Sequence, residues 1–332
     1  MKPFAFQHAV SVADAITAVS ESGGAYLAGG TNLVDLMKNG VVQPDRLIDI
    51  RRLGLAMVEP TASGGVRIGS GVTNSALANH PLIRSQYPVL SHAILSGATT
   101  QLRNMATVGG NLLQRTRCPY FMQPEFSQCN KRQPGSGCAA LGGFHREHAI
   151  FGASASCVAI NPSDMAVALS ILDAVVHVEG PDGPRSIRFG DFHTLPGANP
   201  EVENSLRPGE LILAVELPPS PYADRSWYLK LRDRHSYAFA LVSAAVGLEL
   251  SDGVITSAAV ALGAVAAIPW RVPAAQEALI GRRADHDAFE AAAQLAIEGA
   301  EPLQQNAFKV PLVRQAIIRA LSRAAAASDS RD

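Results

Sequence analysis

Apolar and polar positions divide the chain into three stretches of different character. Over the first 110 residues, strand-like and helix-like segments alternate. Ser11 stands where an N-cap belongs, and Val12, Ile16 and Val19 follow on one face, so a helix is expected to run to about Ser20. Ala25–Ala28 reads as a short strand, and Asn32–Asn39 as a helix closed by Gly40. Arg46–Ile50 and Val66–Ile68 read as further strands, and Tyr87–Leu95 as a helix. Residues 114–156 then show no sustained period. They hold Pro119, Pro124 and Pro134 and the glycines 135, 137, 142, 143 and 152. So long an irregular stretch inside a compact domain is usually functional or disordered.

Periodicity resumes at Asp164–Asp173, a helix with Ser163 as its cap. Strands are expected at Ala174–Glu179, Ser186–Phe189 and Leu211–Leu217. Pro218, Pro219 and Pro221 mark a domain boundary. Beyond it, Trp227–Arg232, Phe239–Leu250 and Val254–Val265 read as strands, with Ser251-Asp252-Gly253 as a hairpin turn. Helices at Pro273–Ile280, Ala288–Ile297 and Val310–Ala326 close the chain, which is expected to fray from about Ser328.

Composition narrows the class. A chain of 332 residues suggests two domains at about 150 residues each. With 47% hydrophobic and 17% charged residues, it reads as globular and not disordered. A net charge of −1 argues against a free-standing nucleic-acid binder. The longest nearly unbroken apolar run, Ala258 to Trp270, is 13 residues, whereas roughly 18 are needed to span a membrane. The first residues lack the pattern of a secretory signal, which makes the cytoplasm the default compartment. Export of a folded chain alongside a signal-bearing partner would place it in the periplasm instead.

Three glycine-rich turns are candidate phosphate sites: Ala28-Gly29-Gly30-Thr31-Asn32, Gly69-Ser70-Gly71-Val72-Thr73 and Thr107-Val108-Gly109-Gly110-Asn111. Glycines let backbone N–H groups converge on an anion, and a following helix start adds a favourable dipole. None is a Rossmann fingerprint or a Walker A loop. Singly each reads as a plain turn; together, within about 80 residues, they point to a large anionic cofactor.

All four cysteines fall in the irregular stretch, at Cys118, Cys129, Cys138 and Cys157. Their spacing is neither that of close zinc-finger pairs nor that of bacterial ferredoxins. An iron–sulfur cluster, an unusual zinc site, two disulfides and inert thiols all stay open on spacing alone. Arg115, Arg117, Lys131, Arg132 and Arg146 make the stretch basic, which would offset anionic thiolates. His145 and His148 are candidate zinc ligands but read more simply as surface residues.

The run Ala28-Gly29-Gly30-Thr31-Asn32-Leu33, the pair Gln101-Leu102-Arg103-Asn104 and Thr107-Val108-Gly109-Gly110-Asn111, and Asn161-Pro162-Ser163-Asp164 occur in a telling order. Together they resemble the FAD-binding subunit of the molybdenum hydroxylases, the xanthine dehydrogenase and carbon monoxide dehydrogenase superfamily. The likeness covers about residues 1–325. Arg115-Thr116-Arg117-Cys118, Cys129-Asn130-Lys131-Arg132, Pro134-Gly135-Ser136-Gly137-Cys138 and His148-Ala149-Ile150 are similar to the FAD subunit of bacterial periplasmic aldehyde oxidoreductases. In that group the inserted loop carries a [4Fe–4S] cluster. A 4-hydroxybenzoyl-CoA reductase-like or xanthine dehydrogenase-like subunit is the alternative.

The resemblance implies an α+β fold. A two-part vanillyl-alcohol oxidase/PCMH-type FAD-binding module would occupy 1–219, with the iron–sulfur loop inserted at 114–157. A CO dehydrogenase flavoprotein-like C-terminal α+β domain would occupy 224–327. It also implies roles. Leu27, Ala28, Gly29, Gly30, Thr31, Asn32, Leu33 and Val34 would wrap the FAD pyrophosphate. Thr107, Gly109, Gly110 and Asn111 would form the second phosphate and flavin contact. Asp164 would bind the adenosine side, Ile212 would pack on the cofactor, and Lys230 would sit near the flavin. Without the resemblance, Ile212 reads as core and Lys230 as a strand-surface charge. Cys118, Cys129, Cys138 and Cys157 would ligate the cluster.

No nucleophile–base set in the sequence calls for substrate chemistry on this chain, so no catalytic residue is expected. By the resemblance, a large partner carries the molybdenum cofactor and a small partner carries [2Fe–2S] centres, making a heterotrimer. Electrons would reach the flavin here and leave to an external acceptor. Two readings of other kinds stand beside it: a zinc-braced scaffold without flavin, and a self-sufficient flavin oxidase.

Overall fold

The computed structural model describes residues 1–326; the fraying expected from Ser328 and the end of the expected C-terminal domain at 327 lie outside the described residues. Three sheets organise the chain. The first is parallel, in the order β1-β3-β2, from β1 (Ala5–His8), β2 (Ala25–Leu27) and β3 (Arg46–Asp49). Between β1 and β2 runs the helix Val12–Ser22. Ser11 caps it by accepting from the Asp14 N–H at 3.0 Å, and Gly23 closes it in the left-handed region at φ 62°. Its buried face, with Ala15, Ile16 and Val19, packs with Ile48 and Leu211.

The second sheet is antiparallel throughout, from β4 (Val58–Pro60), β5 (Val66–Gly69), β6 (Val175–Gly180), β7 (Gly183–Arg188) and β8 (Leu211–Leu217). Its order is β4-β5-β8-β6-β7, so β8 returns from far along the chain to lie between β5 and β6. The helices Pro88–Ser96 and Asp164–Ile171 contribute to the same core. Asp164–Ile171 is buried on nearly every side, which is why its sequence is apolar all round. Ser163 accepts from the Ala166 N–H at 3.0 Å and caps it.

The third sheet, ordered β12-β11-β10-β9, comprises β9 (Ser226–Leu231), β10 (Val242–Ser251), β11 (Val254–Gly263) and β12 (Trp270–Arg271). Ala244, Val246 and Leu248 face a core built with the helices Pro273–Leu279, His286–Ala296 and Lys309–Ala326. Ala245, Ala259 and Ala261 join the core of the second sheet. Both faces are therefore covered, and β10 and β11 read as continuous apolar runs instead of alternating ones. Asp252 and Gly253 turn between them at φ 51° and 77°, the two positive values that a type I′ hairpin requires.

The stretch 114–156 is packed, not disordered. It carries two single-turn helices, Pro119–Met122 and Ala139–Gly142, and a bridge between Cys129 and Cys138. The buried Lys309 ammonium fastens it to the third sheet, donating to the carbonyls of Glu147 and His148 at 3.0 Å each and of Ala264 at 2.8 Å. Asn306 adds bonds to the His148 and Ala149 carbonyls.

Periodicity does not reveal β1, whose residues are mostly exposed. The short helices Pro81–Gln86 and Thr100–Met105 also escape it, since each is too brief for a period to repeat. The strand expected from Phe239 begins at Val242, after a connection in which Tyr237 holds φ 51°.

Asp49, at the end of β3, is buried and accepts from Arg51 at 2.8 and 2.9 Å, with His8 at 2.9 Å. The Arg51 hydrogen bond holds its carboxyl at about 2, below the ordinary 3.8. The carboxylate thus stabilises the fold above pH 3.8, and that contribution is lost as pH falls through about 2. Asp49→Asn should lower stability at pH 7 by about 1 kcal/mol, a value discounted for the half-exposed Arg51. Urea melts of the two proteins should converge by about pH 2; a constant difference down to that pH would contradict the assignment.

Candidate functional site

The first and third glycine turns meet in one cleft of about 380 Å³. Ala28, Gly29, Gly30, Thr31, Asn32 and Leu33 line one side, and Thr107, Gly109 and Gly110 another. Ile212 of β8 also lines it. The meeting depends on absent side chains. A Cβ on Gly29 would stand 1.8 Å from the Met105 carbonyl oxygen, and one on Gly109 would meet Ser70 at 3.1 Å. Gly30 takes φ 71°, and a Cβ there would reach Val34 at 3.1 Å and Leu27 at 3.4 Å, so those two side chains flank the turn.

The first turn is rich in unused donors. Among the described residues, none of the backbone N–H groups from Ala28 to Asn32 donates to another group of the chain. Asn32 Nδ2 and Ser70 Oγ are buried without a hydrogen-bond partner, and both residues line the cleft. Buried polar atoms left unpaired are costly, so such atoms point to a ligand that satisfies them. Converging N–H groups and side-chain donors suit the phosphates of a dinucleotide.

The second glycine turn does something different. Gly69, Ser70, Gly71 and Val72 donate their N–H groups to Met57, Leu213, Leu55 and Gly69 carbonyls. This turn is a spacer with its backbone donors spent, and of its residues only Ser70 lines the cleft. Arg115 and Glu210 line the cleft as well, and the turn pattern alone did not single them out. Glu210 is held by Arg185, whose guanidinium lowers its carboxyl below the ordinary value.

Three expected contact residues stand elsewhere. Asn111 accepts from Ser163 Oγ at 2.6 Å and from Gln114 Nε2 at 2.9 Å, tying the third turn to the helix Asp164–Ile171. Asp164 and Lys230 are brought together at 2.7 Å, with side chains 9% and 3% exposed. Tyr228 donates to the other Asp164 oxygen at 2.6 Å, and Lys230 also reaches the Ser96 carbonyl at 3.2 Å. None of the three lines the cleft, because the pairs they form hold them away from it. His177 lies 3.0 Å from both Glu216 and Ser186, side by side across β7, β6 and β8, on an open sheet face outside the cleft.

All four cysteines are free thiols lining a single small cavity, so no disulfide forms among them. Burial pushes the Cys118 thiol up to about 12 and the Cys157 thiol upward as well. Lys131, also in the cavity wall, opposes that rise at Cys157. His148 stands 3.1 Å from Cys118 Sγ, and burial pulls its imidazole down to about 4. Among the described residues, no three His, Cys, Asp or Glu side chains are placed to hold a single metal ion.

Comparison with known proteins gives this geometry its context. Residues 2–220 match the family described as the FAD binding domain in molybdopterin dehydrogenase, and residues 227–324 match the CO dehydrogenase flavoprotein C-terminal domain. The chain is a FAD-binding subunit of the molybdenum hydroxylase family. It is 49% identical over 329 residues to the aldehyde oxidoreductase FAD-binding subunit PaoB of Escherichia coli, covering 98% of this chain and 99% of that one. It is 26% identical over 331 residues to the carbon monoxide dehydrogenase medium chain of Afipia carboxidovorans, covering 97% of this chain and 98% of that one. Among solved structures, the reconstituted CO dehydrogenase from Oligotropha carboxidovorans superposes with a TM-score of 0.78 at 25% identity, covering 98% of this chain and all of that one. The two-part FAD-binding fold and the family expected from the sequence both hold. Among the described residues, no helix is long and apolar enough to cross a membrane.

Gly110 separates binding from folding. A Cβ there would meet only Thr107 Oγ1, at 3.2 Å, and otherwise faces open space on the cleft. Gly110→Ala should leave thermal stability within about 1 kcal/mol, yet weaken FAD binding by about tenfold, or about 1.4 kcal/mol. Flavin fluorescence titration and a thermal melt check this; unchanged affinity would remove Gly110 from the binding surface.

Proposed function

We propose that this subunit carries FAD and a [4Fe–4S] cluster and transfers electrons within a molybdenum-dependent aldehyde oxidoreductase. In this reading it receives electrons from a [2Fe–2S] partner and passes them to an external acceptor, while a large partner oxidises the aldehyde at a molybdenum cofactor. The observation that carries the reading is the pair of adjacent sites: a cleft with unpaired donors, and a cavity ringed by four thiols. The high identity to a subunit named for aldehyde oxidoreductase supports the substrate class.

The residues fit the two groups. Residues 27–34 with Thr107, Gly109 and Gly110 would hold the FAD phosphates by backbone and hydroxyl donors, and Ile212 would pack on the cofactor. Asn111, Asp164 and Lys230 would act from behind that wall, the last two as one buried ion pair. FAD supplies the electron chemistry when bound; the chain binds it, orients it and limits solvent access. Cys118, Cys129, Cys138 and Cys157 would ligate the cluster. A cube of four irons takes thiolates spread farther apart than one tetrahedral ion does, which suits a cavity ringed by four cysteines. Lys131, in the cavity wall, would offset part of the thiolate charge.

The division of labour follows. The FAD-binding unit would span 1–219 with its insertion at 114–157, and the C-terminal unit 224–327. The chain itself needs no catalytic acid or base.

Purified chain should contain one FAD with about four irons and four sulfides. Cys138→Ala should lose most of the iron and its broad visible absorbance while keeping FAD. Iron content equal to the parent protein would remove Cys138 from the ligand set, and a colourless parent chain would overturn the reading.

A further inference from the structure

A third cavity, of about 350 Å³, lies between the cleft and the cysteines. Arg115 lines both this cavity and the cleft, and Lys131 lines both this cavity and the cysteine pocket. Glu203 stands between them. Its Oε2 accepts from Arg115 Nε, and its Oε1 lies 3.0 Å from Lys131 Nζ. Lys131 is only 6% exposed, and it donates also to the Pro200 carbonyl at 2.7 Å. The Arg115 guanidinium rests 4.5 Å from the Phe121 ring centroid, and Phe121 itself lines the cysteine cavity. The Arg115 backbone N–H donates to Asn32, inside the first glycine turn.

We propose that Glu203 is a positioning residue that couples the two cofactor sites, by holding one cation toward the nucleotide cleft and another toward the cysteines. The inference rests on the reading of the cleft as the FAD site and of the cavity as the cluster site. Glu203 comes from the connection between β7 and β8, outside both binding segments. A single carboxylate shared by two partly buried cations neutralises part of each charge, in surroundings where water screens them weakly. Any change in charge at one cation is transmitted through Glu203 to the position and field of the other. No bond is made or broken in this role.

The test uses the full chain with FAD and iron quantified in every variant. Glu203→Gln leaves two cations uncompensated. It should raise the flavin midpoint potential by about tenfold in the reduction equilibrium, which is about 30 mV for a two-electron couple, because positive charge favours the reduced, more anionic flavin. Lys131→Gln leaves Glu203 to Arg115 alone and should shift the potential the other way, although Lys131 does not line the cleft. In the Glu203→Gln background, Lys131→Gln should shift it by less than half as much.

A flavin potential unchanged in Lys131→Gln with FAD retained would overturn the coupling, and so would equal shifts in the two backgrounds. If Glu203→Gln fails to fold, Lys131→Gln alone decides. A merely structural role would change the melting temperature without moving the potential. A parent chain that binds no FAD defeats the proposed function, whereas a parent that binds FAD but shows no shift in the variants defeats only the coupling.

Discussion

Backbone meets backbone at the cleft, and the absence of side chains at two glycines allows it. The Met105 carbonyl occupies the place where a Cβ of Gly29 would be, and Ser70 crowds the corresponding place at Gly109. The parallel sheet presents the first turn, and the third turn is the capped start of the short helix Val108–Leu112, which contacts β5 and β8 of the antiparallel sheet. Only a contact this close keeps both turns on one ligand-sized space. It also strands the Asn32 and Ser70 polar atoms without partners, which a dinucleotide can satisfy.

Buried charge does the fastening around that space. Lys309 pins the cysteine-bearing stretch to the C-terminal unit through three carbonyls, and Asp164 joins Lys230 and Tyr228 across the junction between the second and third sheets. Removing one partner of a buried pair commonly costs about 3–5 kcal/mol. The long irregular stretch therefore keeps one conformation without a regular core of its own. Its backbone bonds close short local turns, such as Phe121 to Cys118 and Asn130 to Gly137, while Ile150 and Phe151 tie its end to Val265.

A FAD-binding subunit asks little of reactive side chains and much of placement. The titratable groups near the sites are mostly committed to each other: Glu210 to Arg185, Glu203 to Arg115 and Lys131, Asp164 to Lys230. Such pairing shapes the electrostatic field at the cleft and, among the described residues, leaves no free acid or base in its wall. The chemistry of the family is shared among subunits, and the residues here are arranged to hold, shield and tune.

Local chemistry made much of this legible in the sequence. Ser11 and Ser163 signalled their helices because a hydroxyl at an N-cap satisfies a backbone donor whatever the surroundings. Asp252-Gly253 signalled its hairpin because few residues accept two successive positive φ angles. The ordered motifs were enough to point to the family. What the sequence could not determine was which donors remain free. The three glycine turns look alike as strings, yet the second spends its N–H groups on Leu55, Met57, Leu213 and Gly69, residues partly supplied by other strands. Asp164 and Lys230, 66 residues apart, turn toward each other only because the helix Asp164–Ile171 packs on β10 and β11, beside β9. Caps and turns depend on neighbours along the chain, so the sequence by itself determined them; the cleft, the thiol-lined cavity and the carboxylate between them depend on long-range packing, so only the tertiary structure decided them.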